Sequence, residues 1–308
     1  MFFNRKTLGL EIYNNGIAFV LAGVKRSFPY VERYAVARFP GDIVRASMKE
    51  ANIIEPDVLR AAISDCYAKL STKIKRVALS IPDAAGRVML VNMEMPVKDK
   101  QEGLDHVRWK LKKNFPLDIS DLHLDYQVIR HDGAGSALVL VSLVSRGVVR
   151  EYEDMLLELE LEPSFVDFAS FNLYRVFSSR LDMQEHSLYI SLSRGSLSVF
   201  IFQDGSLEFY RNKFLGYNEV DPARLFREIS SSLLVYSDMK GGLKPRNVFC
   251  YVSGESGEML RSLLVEAIGI EPVFMDTVAI ASGAKQQMDR ETIPDILTAL
   301  GAASRSLS

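Results

Sequence analysis

The sequence predicts an α/β protein built as two similar lobes, with a smaller module spliced into the first. Three observations predict it. Strand-like and helix-like stretches alternate along the chain. The order strand, turn, strand, turn, strand, helix, strand occurs twice, roughly 180 residues apart, as a repeat of pattern and not of residue identity. The stretch from Gly86 to Ile129 has no counterpart in the second half.

In order, Leu8 to Ile12 and Ile17 to Leu21 are β-rich runs around Tyr13-Asn14-Asn15-Gly16, and Asn-Gly between apolar runs signals a hairpin because both residues tolerate positive φ. A third run, Tyr30 to Phe39, ends at Pro40-Gly41. A helix starts near Pro56, suited to a first turn, with Leu59, Ile63, Cys66 and Leu70 at helical spacing. Val77 to Ile81 is a compact strand, and Arg87 to Met95 an extended run closed by Pro96. Gln101 to Asn114 has helical period through Leu104, Val107, Trp109 and Leu111. Asp121 to Ile129 and Ala137 to Val144 read as strands around His131-Asp132-Gly133-Ala134-Gly135, followed by helices at Arg150 to Leu161 and Phe165 to Phe177. The pattern then restarts. Leu188 to Leu192 and Leu197 to Gln203 flank the turn Ser193-Arg194-Gly195-Ser196. Ser206 to Phe214 follows Asp204-Gly205, a helix spans Pro222 to Met239, and the strand Asn247 to Ser253 and helix Glu258 to Ile268 complete the unit. This assigns 1–186 to a first lobe with its insert at about 86–130, and 187–308 to a second, with the C-terminal helix packing back on the first. The polar turns after the first strands are expected to face a cleft, since ligands of such sheets sit beyond strand ends.

A chain of 308 residues can bury two cores, and 48% hydrophobic with 25% charged residues is the balance of a folded protein. A formal charge of -2 gives no general attraction to nucleic acid or to an anionic membrane. The best basic patch, Lys110, Lys112 and Lys113, reads as one solvated helix face. Cys66 and Cys250 read as buried thiols of a reducing compartment, with nothing arguing for a disulfide. Met1 to Lys6 is too short in apolar length for a signal peptide, and no window approaches about 18 apolar residues, so any membrane association is expected to be indirect, through a partner. His106, His123, His131 and His186 lack metal-ligand spacing, and neither a nucleophile elbow nor a Walker loop occurs.

Four stretches carry a resemblance to a known family. They are Thr7-Leu8-Gly9-Leu10-Glu11-Ile12; Val77-Ala78-Leu79-Ser80-Ile81-Pro82 with Val91-Asn92-Met93-Glu94-Met95-Pro96; His106-Val107-Arg108-Trp109 with Phe115-Pro116-Leu117 and Leu124-Asp125-Tyr126-Gln127-Val128; and Val252-Ser253-Gly254 with Gly269-Ile270-Glu271-Pro272-Val273. The duplicated unit resembles the actin/Hsp70/sugar-kinase superfamily. The four stretches, in order over nearly the whole chain, resemble PilM, the actin-like protein of type IV pilus assembly, and more distantly the cytoplasmic part of GspL. The resemblance implies an actin-like (RNase H-like) two-lobed fold with a small inserted subdomain in the first lobe. It implies a cytoplasmic scaffold for pilus biogenesis and twitching motility, held at the inner membrane by the tail of a PilN-like protein and meeting other pilus platform proteins. Self-association stays open. GspL proteins continue into a membrane helix after the corresponding segment, which favours the pilus reading.

The superfamily binds ATP and Mg²⁺ between two turns that need acidic and small residues and free backbone N–H groups. For the first turn the resemblance names Glu11, Asn14, Asn15 and Gly16, but Tyr13 replaces a usual glycine and Ala18 a frequent lysine. For the second it names Ser193, Arg194, Gly195 and Ser196, with Ser191 where the family has an acid; Arg194 keeps ATP binding without Mg²⁺ open. The adenosine-side motif survives as Ser253-Gly254, interrupted by Glu255 and Ser256. The plainer reading of both turns is an ordinary hairpin. Hydrolysis is not expected, and an ATP-driven switch is the alternative from a different class. For the partner, the resemblance places the tail peptide on the first lobe near the inserted subdomain, in an apolar groove bordered by the early strands and the Gln101 to Asn114 helix. Arg108 and Trp109, residue types favoured as interface anchors, are the candidates. The competing reading is that Trp109 fills a small core.

Overall fold

The computed structural model of the chain describes residues 6–25, 28–94, 99–112, 118–131, 135–181, 185–217, 220–278, 280, 284–285 and 288–306. Met95-Pro96, Lys113, Asn114, Phe115-Pro116-Leu117 and the turn residues Asp132 to Ala134 lie outside these. In chain order the elements are β1 (Lys6–Tyr13), β2 (Gly16–Lys25), β3 (Phe28–Arg38), α1 (Pro56–Lys69), β4 (Arg76–Ile81) and β5 (Gly86–Met93). Next come α2 (Lys100–Lys112), β6 (Leu122–His131), β7 (Ala137–Ser145), α3 (Arg146–Glu158), β8 (Glu162–Phe168) and α4 (Ala169–Phe177). The second half holds β9 (Ser187–Ser193), β10 (Ser196–Gln203), β11 (Ser206–Phe214), α5 (Pro222–Met239), β12 (Asn247–Val252), α6 (Gly257–Ile268), β13 (Val273–Phe274) and α7 (Ile293–Arg305).

The contacts divide the chain into two compact units, one of residues 1–85, 147–181 and 275–308, the other of 86–146 and 182–274. The first is built on a sheet in the order β3-β2-β1-β4-β8, the second on β11-β10-β9-β12-β13. Both sheets follow one rule. The first strand lies antiparallel to the second and parallel to the fourth, so Leu10 pairs with Phe19 and Leu79, and Ile190 with Val199 and Cys250. The pattern repeat in the sequence is therefore a repeat of topology.

Burial explains the elements. In the second unit Leu188, Ile190 and Leu192 alternate onto one face, where α5 and α6 cover them with Leu225, Ile229, Leu260 and Leu264. Asp221 caps α5, accepting from the Ala223 and Arg224 amides at 3.0 and 3.3 Å, with Pro222 in the first turn. In the first unit α7 crosses β1 so closely that a Cβ on Gly9 would lie 1.9 Å from the Ala299 carbonyl oxygen. The Thr7 hydroxyl donates to the Ala303 carbonyl at 2.9 Å, which fixes that crossing.

Two expectations change. The helix read from Phe165 to Phe177 is a strand to Phe168 and a helix only from Ala169, because β8 pairs in parallel with β4. The inserted module runs from Gly86 to Arg146, beyond the expected 130, since β7 is the central strand of its own sheet, β5-β7-β6. Its contacts group it with residues 182–274. Glu208 on β11, nearly fully buried, pairs with Arg130 of β6 and with Lys240 just beyond α5, the latter at 2.5 Å. Cys66 and Cys250 are both free and buried.

Candidate functional site

In the first unit the hairpin closes on the pair Tyr13 and Gly16, so its turn residues are Asn14 and Asn15. Neither Asn15 nor Gly16 adopts a positive φ, which corrects the conformational reason expected for that Asn-Gly. Gly16 is required for space instead: a Cβ there would lie 2.5 Å from the Ala37 carbonyl oxygen and 2.5 Å from the Tyr13 hydroxyl oxygen. The Tyr13 ring thus lies against Gly16, buried. The segment after β3 seals the turn. The Asn14 carbonyl accepts from the Ile43 and Val44 amides at 2.7 and 3.0 Å, and the Asn15 carbonyl from the Phe39 amide at 2.7 Å. The Asn14 side-chain amide donates to Asp42 at 3.1 Å. That segment is itself held by Glu151 of α3, which accepts from the Asn52 and Ile53 amides at 2.7 and 2.8 Å.

Glu11 is 2% exposed, opposite Ala18 on β2 and beside Ser80 on β4. Alternation puts it on the strand face that carries Thr7 and Gly9, the face α7 covers. Asp83, which the sequence reading did not single out, lies just past β4 and caps α4, accepting from the Ser170 amide at 3.1 Å and from its hydroxyl. A Pro-Asp pair directly after a buried strand was the available signal.

In the second unit the pair Ser193 and Ser196 closes a turn of Arg194 and Gly195, with φ of 49° and 72°. This is the primed geometry that matches strand twist. Gly195 also lies under the segment after β11, where a Cβ would come 1.8 Å from the Gly216 carbonyl oxygen. The Leu215 amide donates to the Gly195 carbonyl at 2.7 Å. This bond is the counterpart of Phe39 to Asn15, so the duplication extends to the hydrogen bond that seals each hairpin. Glu11 and Ser191 are equivalent, each two residues before the turn-closing pair. Ser191 is 2% exposed.

Ser253 donates its amide to the Leu192 carbonyl at 3.0 Å, which brings the Ser253-Gly254 loop beside the Arg194 turn. Both lie at the carboxyl ends of the adjacent parallel strands β9 and β12, where sheets of this kind take ligands. Gly254 has a φ of 90°, and a Cβ there would meet nothing within 4 Å. The open loop leads directly into α6. The first amides of a helix are able to meet an anion there. Among the described residues no group of three or more His, Cys, Asp or Glu is gathered to hold a metal.

Arg108 and Trp109 lie on α2, in the inserted module. Val107 and Leu111 fill the small core there, and Trp109 is 66% exposed, so the reading of Trp109 as a core residue is overturned. Arg108 pairs with Asp105 at 2.9 Å. Lys110 donates to the Asn92 carbonyl and lies 3.5 Å from Glu94, which partly neutralises its charge.

Two sheets of one topology, each carrying a sealed hairpin at the end of its first strand, define an actin-like ATPase fold. A solved structure described as a PilM-PilN type IV pilus biogenesis complex has a chain that matches with a TM-score of 0.81 at 17% identity, over 99% of both chains. The cytoplasmic domain of EpsL, an inner membrane component of the type II secretion system of Vibrio cholerae, matches at 0.53 and 12% identity, over 99% of this chain and 96% of that one. A Bacteroides thetaiotaomicron protein with an actin-like ATPase fold and unknown function matches at 0.50 and 13% identity, over 88% and 91%. Among curated proteins, none matches the chain in sequence. The family model described as type IV pilus assembly protein PilM matches residues 9–222, well over half of the chain, and the chain belongs to that family. No helix among the described residues is long and apolar enough to cross a membrane.

Proposed function

We propose that the chain is a non-hydrolysing adaptor of the type IV pilus platform, cytoplasmic and held at the inner membrane by the tail of a PilN-like protein. The observation that carries this is the exposed Trp109 on the inserted module. A large aromatic side chain left in solvent beside Arg108 is the kind of anchor that concentrates binding energy once a partner covers it. The chemistry of the turns supports the adaptor side of the reading. Ser191 brings no carboxylate to organise Mg²⁺, and the first turn spends its carbonyls on its own chain. The matching PilM chain was solved with PilN, which supports the choice of partner.

The test is capture of the protein by an immobilised cytoplasmic tail of a PilN-like membrane protein. Wild-type protein is expected to bind, with Trp109→Ala weakening binding by about 2 kcal/mol or more and Arg108→Ala by less, at unchanged melting temperature. Equal binding by wild type and both variants would remove Arg108 and Trp109 from the interface.

The open Gly254 loop supports a second reading, in which ATP binds the second unit without Mg²⁺ through Ser193 to Ser196, with Arg194 on a phosphate. A ligand at one hundred times its dissociation constant stabilises by about 2.7 kcal/mol, so excess ATP should then raise the melting temperature with or without Mg²⁺, and Arg194→Ala should abolish the rise.

A further inference from the structure

We infer that the loop between α1 and β4, together with Arg33 of β3, contacts anionic lipid headgroups directly and gives the protein a second hold on the membrane. The run Lys69-Leu70-Ser71-Thr72-Lys73-Ile74-Lys75-Arg76 places four cations in eight residues and contains no acid. Lys69, Lys73 and Arg76 are exposed and make no ion pair with another described residue. Arg33, also exposed, donates to the Leu70 carbonyl at 3.1 Å, so a third element brings a cation to the same loop. The formal charge of -2 for the whole chain conceals this local concentration.

The loop is held in shape from within. Ser71, with a φ of 46°, turns the chain out of α1, and its amide donates to the Ala68 carbonyl at 3.1 Å. The Tyr67 hydroxyl lies 3.3 and 3.0 Å from the Thr72 and Ile74 carbonyls. Lys75 packs over the Tyr67 ring, 5.1 Å from its centre, and lies 3.6 Å from Glu160. Other acids of this unit are already matched: Glu32 faces Lys6 and Lys285, and Glu158 faces Arg60. Asp65 on α1 and Glu162, which pairs with Arg76 in the sheet register, remain against Arg33, Lys69, Lys73 and Arg76. The surplus is positive, so the complementary partner is an anion. Two features select a bilayer. The cations stand on a loop and at strand ends, whereas a duplex is followed along a helix face or groove. Single-stranded nucleic acid needs rings to stack on, and Tyr67 is covered by Lys75. The choice of lipid rests on the adaptor reading, which holds the protein at an inner membrane whose cytoplasmic leaflet is anionic.

Cosedimentation of the full chain with lipid vesicles, in the absence of any other protein, tests it. Wild type is expected to sediment with phosphatidylcholine vesicles that contain phosphatidylglycerol and to stay in solution with phosphatidylcholine alone. Raising the salt is expected to release it. Lys69→Gln, Lys73→Gln and Arg76→Gln are each expected to weaken the partition roughly fivefold, and the triple variant by roughly a hundredfold. Lys75 is left in place because it packs on Tyr67, and an unchanged melting temperature shows that each variant is folded. Capture by a PilN-like tail uses no lipid, and the vesicles carry no tail, so either reading can fail without the other. Equal sedimentation with both kinds of vesicle would overturn the inference. So would wild type that binds neither, a triple variant that binds as wild type does, or displacement of wild type from anionic vesicles by duplex DNA.

Discussion

Glu11 and Ser191 stand at the same place in the two halves, both buried, and only one can carry charge. A carboxylate at position 191 would have to leave water without a counterion among the seryl and aromatic neighbours Ser198 and Tyr251. Ser191→Asp is therefore expected to lower stability by about 3 kcal/mol in urea unfolding, with Mg²⁺ and ATP together recovering part of it only if the turn can still organise a metal. Gly195→Ala meets both a positive φ and the Gly216 carbonyl, and is expected to destabilise by about 2 kcal/mol or more. Two buried groups tie stability to pH. Burial lowers the pKa of His186, whose ring nitrogen lies 2.8 Å from the Tyr236 hydroxyl, with a hydrogen bond to the Lys244 backbone and the charge of Asp204 acting in the opposite sense and the charges of Arg246 and Lys240 reinforcing. Below the ordinary histidine value of 6.5 the unfolded chain takes up a proton that the folded chain resists, so stability falls as the pH drops. His186→Gln should flatten that acid limb in melting temperatures measured against pH. The Cys250 thiol is pushed up to about 12 by burial, so its contribution is full below the ordinary value of 9.0 and is lost as the pH rises from there.

Among the elements, the amphipathic helices were the most legible. α5 has the ends read for it, because Asp221-Pro222 marks its start and Gly241-Gly242 its stop. β8 was not, since Phe165, Val166 and Phe168 run into α4 without a turn residue, and only the parallel pairing with β4 decides their conformation. The first hairpin was legible as a hairpin, but the role of Gly16 was not, because the reason for it is the Tyr13 ring and the β3 backbone. The sealing of both turns by Phe39 and Leu215 was equally hidden, as a hydrogen bond between a hairpin tip and the end of a later strand leaves no local signature. Helix α7 depends on closeness of backbones. Gly9 admits Ala299, and Gly301 admits the Asn172 carbonyl of α4 at a distance where a Cβ would sit 1.9 Å away. Gly9→Ala and Gly301→Ala are each expected to destabilise the first unit by about 2 kcal/mol, read by denaturant titration, with α7 the element displaced.

At the scale of the molecule, the same strand order in both sheets shows why a repeat without residue identity could be read at all. The pattern of burial and turns is what the topology demands, whereas the side chains within it are free to diverge. That freedom separates the two hairpins: the same architecture holds a buried glutamate in one half and a buried serine in the other. It also explains why the solvent exposure of Trp109 was not legible. Helical period places it near Val107 and Leu111, and only the packing of α2 on its three-stranded sheet decides which of the three face inward. Trp109 is the only tryptophan in the chain, so its emission reports one place. Titrating the protein with the cytoplasmic tail of a PilN-like membrane protein, without nucleotide, should shift that emission to shorter wavelength and saturate as the ring leaves water. Binding that leaves the emission unchanged, or no binding until ATP is added, would contradict an adaptor that engages its partner through α2 independently of nucleotide.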